Sequence, residues 1–150
     1  MRKLLLCLLA LGIMACGPAD QGKEAQALMD KGVAQFQKQE YDLAIESFKK
    51  AVELQPKSAV AYNFLGMAYR FKYNLVRSKE LKDQEIAAFQ KAIEADPNYW
   101  VALLNLGATN YYLGERAKAA PLFKKALALN PGHPEKAELE KMIAEGEKQP

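Results

Sequence analysis

Glu85-Ile86-Ala87-Ala88-Phe89-Gln90-Lys91-Ala92-Ile93 is the middle copy of a segment that the chain writes three times. Ala44-Ile45-Glu46-Ser47-Phe48-Lys49-Lys50-Ala51-Val52 precedes it and Ala119-Ala120-Pro121-Leu122-Phe123-Lys124-Lys125-Ala126-Leu127 follows it. Each copy runs into a proline step: Gln55-Pro56, Asp96-Pro97 or Asn130-Pro131. Upstream of each copy lies a second amphipathic stretch centred on a glycine: Leu28 to Phe36 around Gly32, Tyr62 to Phe71 around Gly66, and Leu103 to Tyr112 around Gly107. Apolar residues three and four apart in both stretches predict helices rather than strands. Each unit is then a helical hairpin. One hairpin cannot bury its own apolar face, and a stack of three, burying a continuous core, is roughly the smallest stable array. Small residues at Gly32, Gly66 and Gly107, and at Ala51, Ala92 and Ala126, let the paired helices approach, while Phe48, Phe89 and Phe123 fill the space between hairpins.

The second unit reads Tyr62-x2-Leu65-Gly66-x2-Tyr69, then Glu85-x3-Phe89 and Pro97. The third reads Leu103-x2-Leu106-Gly107-x2-Asn110, then Ala119-x3-Phe123 and Pro131. The first keeps Leu28, Gly32, Ala44-x3-Phe48 and Pro56, with Lys31 and Gln35 at two ordinarily apolar places, as suits an end unit. This pattern resembles the tetratricopeptide repeat. The resemblance covers residues 25–133 in units of 25–58, 59–99 and 100–133. It implies an all-α fold, a right-handed α-solenoid of three hairpins. Residues 134–150 follow as a capping helix from His133-Pro134, with Ala137, Met142 and Ile143 on one side and a tail that frays from Glu147.

The second unit is longer, because Gly66 and Glu85 are 19 residues apart where Gly32 and Ala44 are 12 apart. Seven extra residues are about two helical turns, one for each helix of the hairpin. Tyr69, Tyr73 and Val76 continue one helix and Leu81 meets them from the other, which Ser78 is placed to cap. The projecting tip sets Lys72, Arg77, Lys79 and Lys82 against Glu80 and Asp83. It reads either as a solvated tip or as a contact for a partner or lipid headgroups.

At the N-terminus, Met1-Arg2-Lys3 is followed by Leu4 through Ala15 without a charged or strongly polar side chain. Twelve helical residues rise ~18 Å, short of the ~30 Å hydrocarbon layer, so the segment reads as a signal peptide rather than a membrane span. Ile13-Met14-Ala15-Cys16-Gly17 resembles the lipobox of bacterial lipoproteins, which implies a signal over 1–15, a lipidated Cys16 and, with Gly17 rather than Asp next, an outer-membrane anchor facing the periplasm. The other reading is an ordinary secretory signal with Cys16 incidental. Loss of Cys7 with the signal would leave Cys16 as the one cysteine in an oxidising compartment, where a lone thiol is a liability. The Gly/Pro/polar residues up to 24 read as a flexible tether.

By the repeat resemblance, first helices line a concave groove. Their groove positions here hold Met29, Val33 and Phe36, then Val60, Phe64, Met67 and Phe71, then Val101, Leu104, Tyr111 and Tyr112. Family members that grip a C-terminal carboxylate use Lys, Asn and Arg where this chain has Met29, Val33, Phe64 and Val101, keeping only Asn105. The expected ligand is therefore an apolar or amphipathic helical segment of a protein partner, with Asn63 and Asn105 holding its backbone. Alternatively the tether or the C-terminal helix covers the groove, or its aromatic surface serves self-association. Tyr99 and Trp100 sit at a hairpin junction, where packing is expected.

Composition excludes other classes. The 150 residues carry 21 Lys and Arg against 18 Asp and Glu, and removal of Arg2 and Lys3 with the signal leaves 19 against 18. That gives no concentrated basic face for nucleic acid. His133 lies in a Pro-Gly-His-Pro turn with no nucleophile arrayed around it, which argues against an enzyme. One His without a free Cys builds no usual zinc site, there is no glycine-rich phosphate loop, and no cofactor is expected. The reading is a non-catalytic, membrane-anchored adaptor for assembly of an envelope complex, the alternative being a homo-oligomeric structural lipoprotein.

Overall fold

The proline steps that punctuate the sequence also end the helices. In the computed structural model, which describes residues 18–148, Gln55, Asp96 and Asn130 are the C-caps of three helices and all leave the helical region, with ψ of 74°, 100° and 76°. The ring of the following proline disfavours the helical region at the residue before it. Each C-cap carbonyl then accepts from the backbone N–H three residues on, at 3.0 Å from Ser58, 3.1 Å from Tyr99 and 3.2 Å from His133. One turn thus recurs at all three hairpin boundaries.

The helices are α1 (Pro18–Gln37), α2 (Tyr41–Leu54), α3 (Ala59–Val76), α4 (Lys79–Ala95), α5 (Trp100–Tyr112), α6 (Arg116–Leu129) and α7 (Lys136–Glu147). α1 pairs with α2, α3 with α4 and α5 with α6, and successive hairpins stack through α2 on α3 and α4 on α5. No strand occurs among the described residues. The signal segment, Cys16 and Gly17 lie outside them.

Within each hairpin one contact sets the spacing. A Cβ on Gly32, Gly66 or Gly107 would stand 2.5, 2.6 or 2.6 Å from a ring carbon of Phe48, Phe89 or Phe123. Each phenylalanine therefore lies on the glycine of its own hairpin, and Phe48 also meets Phe64 of the next hairpin at 5.5 Å between ring centres. Each ring closes its own hairpin and Phe48 also joins the first to the second, which corrects the expectation that the three rings fill the space between hairpins.

Several other expectations change. The stretch up to residue 24, read as tether, is helical from Pro18 onward, and Ala25 is already buried. Proline suits a first helical position, where its missing N–H is not needed. Ser78 stands at the N-cap of α4 but makes no capping bond, whereas Ser58 caps α3 by accepting from the Ala61 N–H at 3.2 Å. The seven extra residues are divided as 18 in α3 against 13 in α5 and 17 in α4 against 14 in α6, with a turn one residue shorter between them. Val76 is exposed and does not join Tyr69 and Leu81 in the core. α7 begins at Lys136 rather than at His133-Pro134 and buries Leu139, Ile143 and Gly146, leaving Ala137 exposed. Glu147 belongs to that helix and pairs with Lys124 of α6.

The core is also less uniform than stacked apolar faces imply. One apolar cluster joins α1 to α4 and a second joins α6 to α7. At the joint between the second and third hairpins a polar network is buried instead.

Candidate functional site

The inner surface is formed by α1, α3 and α5. Val33, Phe36, Phe64, Met67, Val101 and Leu104 are each half-buried there, so part of every side chain reaches solvent. Val60, Phe71 and Tyr112 are exposed, Tyr112 to 79%. Two expected groove residues are not available: Met29 is buried against the first core cluster and Asn63 is 2% exposed. Phe36 and Phe71 close on one another at 5.1 Å and both meet Tyr41, forming an aromatic knot where the first two hairpins end.

α7 takes the place that the first helix of a further hairpin would occupy. It packs on α6 and stands across from α5, leaving a cavity of about 290 Å3 whose walls include Val101, Leu104, Leu139 and Met142. The C-terminal helix therefore walls the groove at this end. It also engages Tyr111, whose half-exposed side chain donates through the phenol to the Glu145 carboxylate at 2.5 Å and has the Arg116 guanidinium 5.3 Å from its ring. That hydrogen bond, then burial, holds the Tyr111 hydroxyl above its usual pKa of 10.0.

Asn63 and Asn105 are not free to hold a partner's backbone, as was expected of them. The Asn105 amide donates to Asn63 Oδ1 at 2.9 Å, and Arg70 donates to both Asn105 oxygens, at 3.0 Å to Oδ1 and 2.7 Å to the backbone carbonyl. Arg70 also donates through Nε to Glu85 at 2.8 Å and through Nη2 to Thr109 at 2.8 Å. Thr109 completes the circuit by donating to Glu85 at 2.6 Å. A second cation, Lys82, reaches the other Glu85 oxygen at 2.5 Å. No buried side-chain polar atom among the described residues lacks a partner. Such closure is what lets a fully buried carboxylate persist.

Arg70 and Glu85 went unrecognised in the sequence, although two signals pointed to them. Arg70 occupies a groove-lining register of α3. Glu85 stands where the other units have Ala44 and Ala119, and a carboxylate in a small-residue core position requires a cation nearby.

Other sequence candidates have structural roles. Trp100 meets the His133 ring at 5.7 Å, and His133 Nδ1 accepts from the Glu135 backbone N–H at 3.2 Å, so the histidine organises the turn into α7. Among the described residues no group of His, Cys, Asp and Glu could hold a metal ion. No described helix is long and apolar enough to cross a membrane.

Stacked helical hairpins presenting a half-exposed apolar inner face define a helical-repeat interaction domain. Residues 25–58 and 100–133 each match a family model of the tetratricopeptide repeat. The peroxisomal targeting signal receptor of Candida albicans is 29% identical over 113 residues, which are 75% of this chain and 18% of that one. The probable UDP-N-acetylglucosamine–peptide N-acetylglucosaminyltransferase SPINDLY of Hordeum vulgare is 33% identical over 99 residues, 66% of this chain and 10% of that one. The chain thus spans less than a fifth of the length of these relatives. Among solved structures, the Arabidopsis OM64 TPR domain superposes with a TM-score of 0.72 at 21% identity, covering 83% of this chain and 98% of that one. The first TPR of Spaghetti (RPAP3), bound to the HSP90 peptide SRMEEVD, gives 0.71 at 23% identity, covering 83% and 94%. The chain is a tetratricopeptide repeat protein.

Proposed function

We propose that the protein is a non-catalytic adaptor of the bacterial envelope, anchored by lipid at Cys16 to the outer membrane and facing the periplasm, whose groove holds an apolar or amphipathic segment of a partner during assembly of an envelope complex. The observation that carries the docking part is the line of half-exposed apolar side chains, Val33, Phe64, Met67 and Leu104, along three successive first helices. Apolar surface left contiguous along a concave face is characteristic of interaction sites. The first TPR of Spaghetti (RPAP3) is bound to the acidic HSP90 peptide SRMEEVD. Met29, Val33, Phe64 and Val101 supply no charge for such a tail here, so the partner segment differs in chemistry.

The anchoring part is supported by the Arg-Lys start, the apolar run and the Ala15-Cys16 step. Two or three acyl chains give stable attachment where a single chain does not. With α1 beginning at Pro18, the folded body starts two residues beyond Cys16 and is held close to the bilayer. Confinement to a surface then raises the local concentration of partner and adaptor together.

The test uses the full-length protein and its Phe64→Ser/Leu104→Ser variant as baits on detergent-solubilised envelopes. A partner held by the wild type and lost from the variant supports the groove. Identical captures from both, or a mass that doubles with concentration in the wild type alone, replace this reading with self-association. Metabolic labelling with a radioactive fatty acid, abolished by Cys16→Ser, tests the anchor.

A further inference from the structure

Beside the apolar cavity, on the other flank of α5, lies a second one of about 340 Å3 between α3, α4 and α5, walled by Arg70, Tyr73, Arg77, Lys82, Glu85 and Tyr112. We propose that this cavity is a carboxylate-binding subsite, taking an acidic group of the same partner segment whose apolar side lies in the groove. The inference rests on the groove reading and names the partner's second chemical feature.

Charge is the first argument. Three cations line the cavity and one carboxylate opposes them. Glu85 is already shared by Arg70 and Lys82, at 2.8 and 2.5 Å. Arg77 has no carboxylate partner among the described residues and lies 5.5 Å from the centre of the Tyr73 ring. The same ring carries the Lys82 ammonium at 4.0 Å. A ring face attracts a cation only weakly, so two cations gathered on one tyrosine leave a positive site that an incoming anion would complete.

Geometry is the second. Arg70 is fixed by its bonds to Glu85, Asn105 and Thr109 and forms a rigid wall. Arg77 is the C-cap of α3 in the left-handed region at φ 56°, which sets its Cα at the rim, and its guanidinium lies 5.5 Å from the centre of the Tyr73 ring. Tyr73, Arg77 and Lys82 all belong to the longer hairpin of the second repeat, which gives the seven extra residues a task that a solvated tip does not. Ala108 and Tyr112 line this cavity and the apolar one alike. A segment lying across α5 would therefore touch both. The residues differ from those at the family's carboxylate-gripping places, which are apolar here apart from Asn105.

The test follows Arg Nε–H and Met methyl resonances of the full-length protein in nonionic micelles. Acetyl-Leu-Ala-Ala-Leu-Leu-Ala-Glu and its Gln-ended counterpart are added, each as free acid and as amide. The expected result is that the Glu amide shifts Arg77 and Met67 together while the Gln amide shifts Met67 alone. Arg77→Gln, at an exposed position, should weaken binding of the Glu peptide about tenfold and leave the Gln amide unchanged. A response to the Gln free acid assigns the group to a chain terminus, and a response to the Glu amide assigns it to a side chain. Arg77 left unmoved by the Glu amide and by both free acids, with Met67 still shifted, overturns the subsite and leaves the groove intact. A shift at Arg77 without one at Met67 overturns the groove reading, and with it the shared segment, and leaves a carboxylate site that acts by itself. Arg77 shifted by phosphatidylglycerol vesicles and by no peptide overturns the proposal in favour of a lipid headgroup.

Discussion

Arg70 on α3 donates through Nε to the carboxylate of Glu85 on α4 at 2.8 Å, and the Glu85 side chain is wholly removed from solvent. The two residues belong to one hairpin, and besides the bond from Lys82 of that hairpin to Glu85 their remaining bonds reach Asn105 and Thr109 on the next. An ion pair inside the second repeat is therefore also the seam between the second and third.

Replacing Glu85 by Ala, the residue of the other two copies, should destabilise the protein rather than regularise it. The change leaves Arg70 and Lys82 without their acceptor, and removal of one partner of a buried pair typically costs 3–5 kcal/mol. Because the Arg70 and Lys82 side chains keep 23% and 16% exposure, a loss near the lower bound, about 3 kcal/mol, is expected. Urea unfolding measures it, and a loss below about 1 kcal/mol would show that water replaces the network without consequence.

Gly66→Ala should be destabilising although Ala is the better helix former. The added methyl would stand 2.6 Å from Phe89 Cε1, and overpacking of this kind costs roughly 1–3 kcal/mol against a propensity gain of about 1. Combining it with Phe89→Leu should recover much of the loss. A Gly66→Ala protein as stable as wild type would mean that the ring moves aside freely.

Gly146→Ala should act more locally and with less room for relief. Its methyl would lie 2.3 Å from the backbone carbonyl of Arg116, which no rotamer change can move. α7 should lift from α6, and amides of residues 136–147 should exchange faster while those of α2 to α4 keep their protection. Unchanged exchange in α7 would contradict the close approach of these two helices.

Stability should decline on the alkaline side before any general unfolding. Burial, followed by the nearby Glu80 charge, raises the Tyr69 hydroxyl above 10.0. A folded value above the unfolded one means that its contribution is complete below pH 10.0 and is lost as pH rises through the folded value. Tyr69→Phe should flatten this decline in urea titrations carried out between neutral and strongly alkaline pH. An unchanged slope in that variant would place its cause elsewhere.

The repeat unit and its proline-marked ends were legible because they depend on local spacing and on backbone sterics, which every copy displays, whereas the seating of each phenylalanine on the glycine of its own hairpin was not. The extra helical turns of the second repeat were also legible from the separation of Gly66 and Glu85. Other features were not. Pro18 starts α1 inside a stretch whose Gly, Pro and polar composition reads as tether, because packing from Ala25 onward propagates helix back through it. Of the expected groove residues, Met29 and Asn63 are buried, and Asn63 with Asn105 spends its amide on the chain itself.

The sequence by itself determined a stack of helical hairpins with an apolar line along its first helices, since periodicity and turn chemistry act over a few residues. Only the tertiary structure decided which of those side chains remain open, that α7 walls one end of the groove, and that Arg70, Glu85 and Thr109 meet. Those outcomes depend on residues 15 to 39 positions apart being brought within hydrogen-bond reach, a distance over which no local pattern carries information.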